Sequence, residues 1–259
     1  MKYVELPDVE PDQVSLKLFP CKGNPEALVV WLHGGGWVTG DRRNVRGMPG
    51  FFEEHGLLFI SANYPLSPSA EVNLIDLQIQ ALHGLDQWLT NNSLKGTYPA
   101  AFQNINLLAH SAGSHLVALA DKRFGWSSSI RSLILMDSGA YDLKARFNRM
   151  RPFQKKKFAQ LIGLDRYPMV QHADILRDFS PALLQPKARD VNPLDVVIVS
   201  SNRAGARYSA ERLKSSYSGQ NYSCRIYLKD WDHEYFPHAV GVDSDLNNLI
   251  LDVVSPAIL

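Results

Sequence analysis

The chain has 259 residues, 45% of them hydrophobic and 20% charged, with a formal net charge of +1. This is the composition of an ordinary globular protein, long enough for one sizeable core. A chain so close to neutral sets up no overall field to gather nucleic acid or an anionic membrane, and it has no apolar run near the roughly 20 residues that span a bilayer.

Met1 to Glu10 carries acids and a proline where a secretory leader would carry an apolar run. The two cysteines, Cys21 and Cys224, form no CxxC or metal-ligand spacing. The expectation is a reduced, cytoplasmic protein without metal or cofactor, in which the sequons at Asn91 and Asn221 are coincidental.

In chain order, Gln13–Phe19 alternates like an exposed early strand, and Ala27–Leu32 and Leu57–Ala62 are the continuous apolar runs of buried strands. Leu74 to Leu89 sets Leu74, Leu77, Ala81, Leu85 and Trp88 on one helical stripe, closed by Asn91-Asn92. Ile105–Ala109 reads as a strand, Ser114–Asp121 as a helix and Ile130–Met136 as a strand. Residues 145–184 have helical texture but are broken by Pro152, Pro168 and Pro181, an excursion over the carboxyl edge of a sheet. Val196–Ser201 and Cys224–Leu228 are the last strands, with a helix at Tyr208–Tyr217 between them and another at Asp245–Val254 closing the chain. Strands alternating with helices predict one α/β domain, residues 1–259, on a mostly parallel sheet. Ligands of such sheets bind at the carboxyl ends of the strands.

Asn106–Leu116 runs strand, tight turn, helix, with Ser111 at the turn. A serine there presents its hydroxyl from a strained backbone above a helix N-terminus, provided that small residues stand two before and two after it. Ala109 and Gly113 meet that need. The plainer reading of Ser111 is a helix N-cap. His33-Gly34-Gly35-Gly36-Trp37 follows a buried strand directly, and its glycines free backbone N–H groups to face inward. Gly34 and Gly35, with Ala112 after the serine, are the candidate oxyanion donors; a phosphate loop is disfavoured, because no Gly-Lys-Ser/Thr follows. His33 itself reads as a structural hydrogen-bonder.

Of eight histidines, His233 stands in the loop after the last strand, where a base belongs when the chain order is serine, acid, histidine. His238 is the alternative. His55, His83, His115 and His172 have no partner motif, and His110 is expected to pack locally. Asp232 and Glu234 flank His233 and should point away from its ring.

These motifs resemble the kynurenine formamidase and hormone-sensitive-lipase-like esterase branch of the α/β-hydrolases. The resemblance rests on His33–Trp37, on Asn63-Tyr64-Pro65-Leu66-Ser67-Pro68 with Asp76 on the next helix, on His110–Leu116 and on Ser138–Leu143, and it spans about residues 26 to 240. It implies an α/β-hydrolase fold with a cap-like insertion. The activity implied is that of a serine hydrolase acting on a carboxylic ester, thioester or N-formyl amide.

The pattern departs at the acid. The family's carboxylate follows the seventh strand, but here Asn202-Arg203-Ala204-Gly205 follows it. Either Asp137, at the end of the preceding strand, takes the role, or Asn202 orients the imidazole as a neutral partner, or the protein chiefly binds. Asp137 also reads as a turn-capping residue before Ser-Gly. The run Lys144, Arg146, Arg149, Arg151, Lys155, Lys156 and Lys157, with no acid within it, is either a solvated helix face or the border of a pocket for an acidic, carrier-linked or CoA-linked substrate. Acyl transfer in place of hydrolysis, and a non-catalytic binder on the same scaffold, stand as alternatives. The partner is a small acyl or formyl substrate, and the chain is expected to act as a monomer or homodimer.

Overall fold

The structure, a computed structural model, describes residues 4–6, 14–67, 73–189, 192–218 and 221–255. Gln13 and Pro68, which the sequence assigned to a strand and to a turn, lie outside them.

Eight strands among the described residues form one sheet: β1 (Val4–Glu5), β2 (Leu16–Phe19), β3 (Leu28–Leu32), β4 (Leu58–Ala62), β5 (Ile105–His110), β6 (Ile130–Met136), β7 (Leu194–Ser201) and β8 (Tyr222–Lys229). Their order is β1-β2-β4-β3-β5-β6-β7-β8, antiparallel through β4 and parallel from there on. The apolar runs are continuous because both faces are covered, and successive side chains go to opposite cores. Val30, Leu32, Leu107, Leu133, Leu135 and Ile198 pack on one face. Val29, Trp31, Leu108, Ile134, Val197 and Val199 pack on the other.

The helices are α1 (Met48–Glu54), α2 (Leu74–Asn91), α3 (Leu94–Thr97), α4 (Ala112–Arg123), α5 (Leu143–Arg149), α6 (Pro152–Leu161), α7 (His172–Asp178), α8 (Ala204–Ser216), α9 (Phe236–Ala239) and α10 (Ser244–Val254). Residues of α2, α4 and α8 join the first core, and those of α1 and α10 the second. The sequence missed α1, a seven-residue helix with a proline in its first turn. In α2 the buried stripe is rotated from the expected one. Leu74, Ile75, Gln78, Ala81, Leu82, Leu85 and Leu89 face inward, while Leu77 and Trp88 are half-buried at its margins. Gln78 is the reason an apolar pattern misplaced it. Its buried amide donates to the carbonyls of Trp37 (2.8 Å) and Pro65 (2.7 Å), so a polar residue occupies the middle of the face. The excursion between β6 and β7 is made of α5, α6 and α7 with short 3-10 turns. No helix of the described residues is long and apolar enough to cross a membrane.

Candidate active site

Register decides what meets at the carboxyl edge. His110, the last residue of β5, pairs with Met136, the last of β6. The next residue on each strand is therefore Ser111 on one and Asp137 on the other. Main-chain bonds fix both turns: Ser111 N–H donates to Met136 O (2.9 Å) and Asp137 N–H to Val199 O (2.8 Å).

Ser111 occupies φ 52°, ψ −114°, a strained position for a non-glycine residue. It precedes α4 yet makes no side-chain cap bond, which excludes the N-cap reading. Its Oγ lies 2.8 Å from Nε2 of His233, whose Nδ1 lies 2.7 Å from Oδ2 of Asp137. A carboxylate can only accept, so Nδ1 carries the proton and Nε2 is left to accept from the serine hydroxyl. Asp137 is fully buried, also at positive φ, and its Oδ1 accepts from Ser201 N–H (2.7 Å). Burial pushes its pKa up, but the hydrogen bonds from His233 and Ser201 outweigh that and bring it to about 2. The carboxylate is thus charged wherever the protein is folded at ordinary pH.

Arg203 reaches in from the loop after β7 and donates through Nη2 to the same Oδ2 (2.7 Å). The loop after β7 thus supplies a cation paired with Asp137. Asn202 is exposed and binds Lys229 O through its main chain (3.0 Å), and His233 spends its Nδ1 on Asp137. His238 is exposed on α9, and Asp232 and Glu234 are exposed beside His233.

Gly113 is required by a neighbouring strand. A Cβ there would stand 2.5 Å from Leu32 O and 2.6 Å from His33 O, at the end of β3. This close approach sets the glycine loop after β3 beside the serine. Gly34 lies against the elbow, where a Cβ would meet Ser111 Cβ at 3.0 Å. The carbonyl of Gly35 is held by the N–H groups of Val38 (3.2 Å) and Thr39 (3.0 Å). Gly36, not among the expected donors, lines the cavity over Ser111 together with Ala112.

Three histidines support this geometry. His33 donates through Nδ1 to Gly34 O (2.7 Å) and stacks on Tyr64, whose hydroxyl donates to His33 O (2.8 Å). His110 donates through Nε2 to the carbonyl of His233 (2.9 Å), and the two rings lie 4.6 Å apart. His115, fully buried, accepts from Trp37 Nε1 (3.1 Å) and donates to Phe179 O (2.8 Å), linking the glycine loop after β3, α4 and the excursion. Burial lowers the pKa of His110 and of His115 to about 4, so both are neutral spacers. Sequence reading left His115 without a partner, and Asp76 proves to be structural, pairing with Arg123. Among the described residues no cluster of three or more His, Cys, Asp or Glu is placed to hold a metal ion.

The cavity measures about 560 Å³, within the range of small-molecule sites. Its walls come from the loop after β3, the turn after β6, the excursion and the start of α8.

Residues 16–131 match the family model BD-FAE. Among solved structures the chain is similar to a putative thioesterase from Silicibacter sp. TM1040, at 20% identity over 98% of this chain and 86% of that one, with a TM-score of 0.66. It is also similar to an esterase from Pyrobaculum calidifontis (16% identity, 98% and 84% covered, TM-score 0.68) and to the esterase Est2 from Thermogutta terrifontis (16%, 98% and 96%, TM-score 0.63). No curated protein matches the chain significantly. The strand order, the serine turn and these likenesses together identify the chain as an α/β-hydrolase in fold.

Proposed function

We propose that the protein is a serine hydrolase that cleaves a carboxylic ester, a thioester or an N-formyl amide through an acyl-Ser111 intermediate. The observation that carries this reading is the unbroken hydrogen-bonded chain from Ser111 Oγ through His233 to Asp137, at 2.8 and 2.7 Å, opening on a cavity. Ser111 Oγ attacks the substrate carbonyl while His233 Nε2 takes its proton. The imidazolium, held by Asp137, then protonates the leaving group as the tetrahedral intermediate collapses to the acyl-serine. Water, deprotonated by the same nitrogen, attacks the acyl-serine and releases acid and free Ser111. The oxyanion is served by Ala112 N–H and by the glycine loop, to which Gly36 is now added. Each such donor lowers the barrier by on the order of 3 kcal/mol.

The alternative of a non-catalytic binder drew its force from the missing carboxylate after β7, and Asp137 beside His233 removes that support. A fluorophosphonate probe tests the reading. Wild-type protein should be labelled on Ser111 and the Ser111→Ala variant should not; an unlabelled wild type would sink it. Turnover of phenyl acetate, an acyl-thioester and N-formyl-aniline then ranks the three bond types. Product capture by an added amine or alcohol would favour acyl transfer.

A further inference from the structure

The cationic run at 144–157 divides in space. Lys155 and Lys157 lie over the rings of Phe147 (5.5 Å) and Phe153 (5.0 Å), and Arg151 and Lys156 are exposed, as a solvated face requires. Arg146 and Arg149, one turn apart on α5 and also exposed, differ in lining the cavity over Ser111. Arg203 joins them from the start of α8, and no aspartate or glutamate is among the lining residues.

The three guanidinium groups are not equivalent. Arg203 is neutralised by Asp137. Arg149 sits with its guanidinium 4.7 Å from the centre of the Tyr208 ring, which holds the group in place without cancelling its charge. Arg146 lies against Gly139 and is exposed where it lines the cavity, and partial desolvation by the surrounding protein lowers its pKa. Among the described residues neither Arg146 nor Arg149 has a carboxylate within ion-pair distance. Two uncompensated cations on one wall of a partly enclosed site repel each other, and an anion between them relieves that cost. Their planar forks suit an oxyacid.

We infer that the cavity takes a substrate bearing an anionic oxyacid substituent, carboxylate or phosphate in type, bound by Arg146 and Arg149 while its acyl carbon faces Ser111. The inference names the substrate class of the proposed hydrolase and rests on that reading only for which bond is cut.

The test separates the two. Binding is measured by calorimetry on the Ser111→Ala protein, so that no hydrolysis intervenes. The probes are phenyl butyrate (neutral), phenyl hydrogen succinate (a carboxylate at the chain end) and phenyl 3-phosphonopropanoate (a phosphonate there). At low salt at least one anionic ester should bind about tenfold or more tightly than phenyl butyrate, and whichever anion binds tighter names the natural group. That preference should shrink with added salt, since such contacts are screened over a Debye length of about 10 Å at 0.1 M. It should collapse towards unity in Ser111→Ala carrying Arg146→Gln and Arg149→Gln. Equal binding of neutral and anionic esters, or a preference that survives both substitutions, overturns the inference. If the triple variant fails to fold, the salt titration and Arg149→Gln alone decide between the same two outcomes. Turnover by the unsubstituted protein is read separately: an anion preference in binding with no turnover of any ester overturns the hydrolase reading and leaves the anion site standing.

Discussion

Replacing Asp137 by asparagine removes one charge while keeping the shape, and the three donors around this side chain set the cost. Oδ2 accepts from His233 Nδ1 and Arg203 Nη2, and Oδ1 from Ser201 N–H, all at 2.7 Å. An amide has only one oxygen to offer. If it faces Ser201, its NH2 confronts the imidazole, which must move its proton to Nε2 and can then no longer accept from Ser111. If it faces His233 and Arg203, the tautomer survives, but Ser201 N–H is buried against another donor and the imidazolium formed in the reaction loses its counter-charge. Both arrangements strike the transition state, and the expected loss is a factor of about 10³ to 10⁴ in kcat, or about 4 to 5.5 kcal/mol. The assay is steady-state hydrolysis of phenyl acetate together with the rate of fluorophosphonate labelling, on protein whose fold is checked by circular dichroism. Asp232→Asn and Glu234→Gln serve as controls, since both side chains are exposed beside the base. If Asp137→Asn keeps activity within tenfold of wild type while His233→Ala abolishes it, the assignment of the carboxylate is wrong.

Gly113→Ala should cost roughly 2–3 kcal/mol in urea unfolding, because its methyl would press on the Leu32 and His33 carbonyls and nothing there can yield cheaply; a neutral effect would mean that α4 can shift away from β3. His115→Leu strands Trp37 Nε1 and Phe179 O in the interior, so a loss of about 2–4 kcal/mol is expected, with slower labelling of Ser111 as the loop carrying Trp37 loosens. Stability should also fall on acidification. His110 and His115 titrate near 4 in the fold against 6.5 in the free side chain, so between those values the unfolded chain binds protons that the folded one refuses. Asp121, raised by burial to about 6, and Asp86, also raised by burial, act in the opposite sense over part of that window. With His33, also lowered by burial, three histidines act against two acids, and the net expectation is a loss of stability between pH 6.5 and 4. Scanning calorimetry should show Tm falling across that range, and a rising Tm would refute the balance.

How legible all this was depended on whether a feature is local. The strands stood out as apolar runs, and the serine turn as one short window, so the fold and the turn that presents Ser111 could be read directly. Asp137 emerged by subtraction, because the loop after β7 offered no acid. What stayed hidden are pairs made through space. Gln78 reaches Trp37 across 41 residues, His115 reaches Phe179 across 64, and His110 reaches His233 across 123. Nothing in the spacing of a single segment encodes such partners. Arg146 and Arg149 were likewise indistinguishable from their neighbours in a cationic run until the path of α5 decided which side chains line the cavity.

The contact between His110 and the carbonyl of His233 bears on the mechanics of the site. β8 is the outermost strand, with side chains alternating between half-buried and exposed, and outer strands are where a sheet opens first under thermal motion. The loop that follows, which carries His233, would inherit that fraying. The tether from β5 moors this loop to an inner strand, so that the edge can breathe while His233 and Ser111 keep a common frame. The same short stretch of β5 that leads into Ser111 thereby sets the rigidity of the loop that faces it.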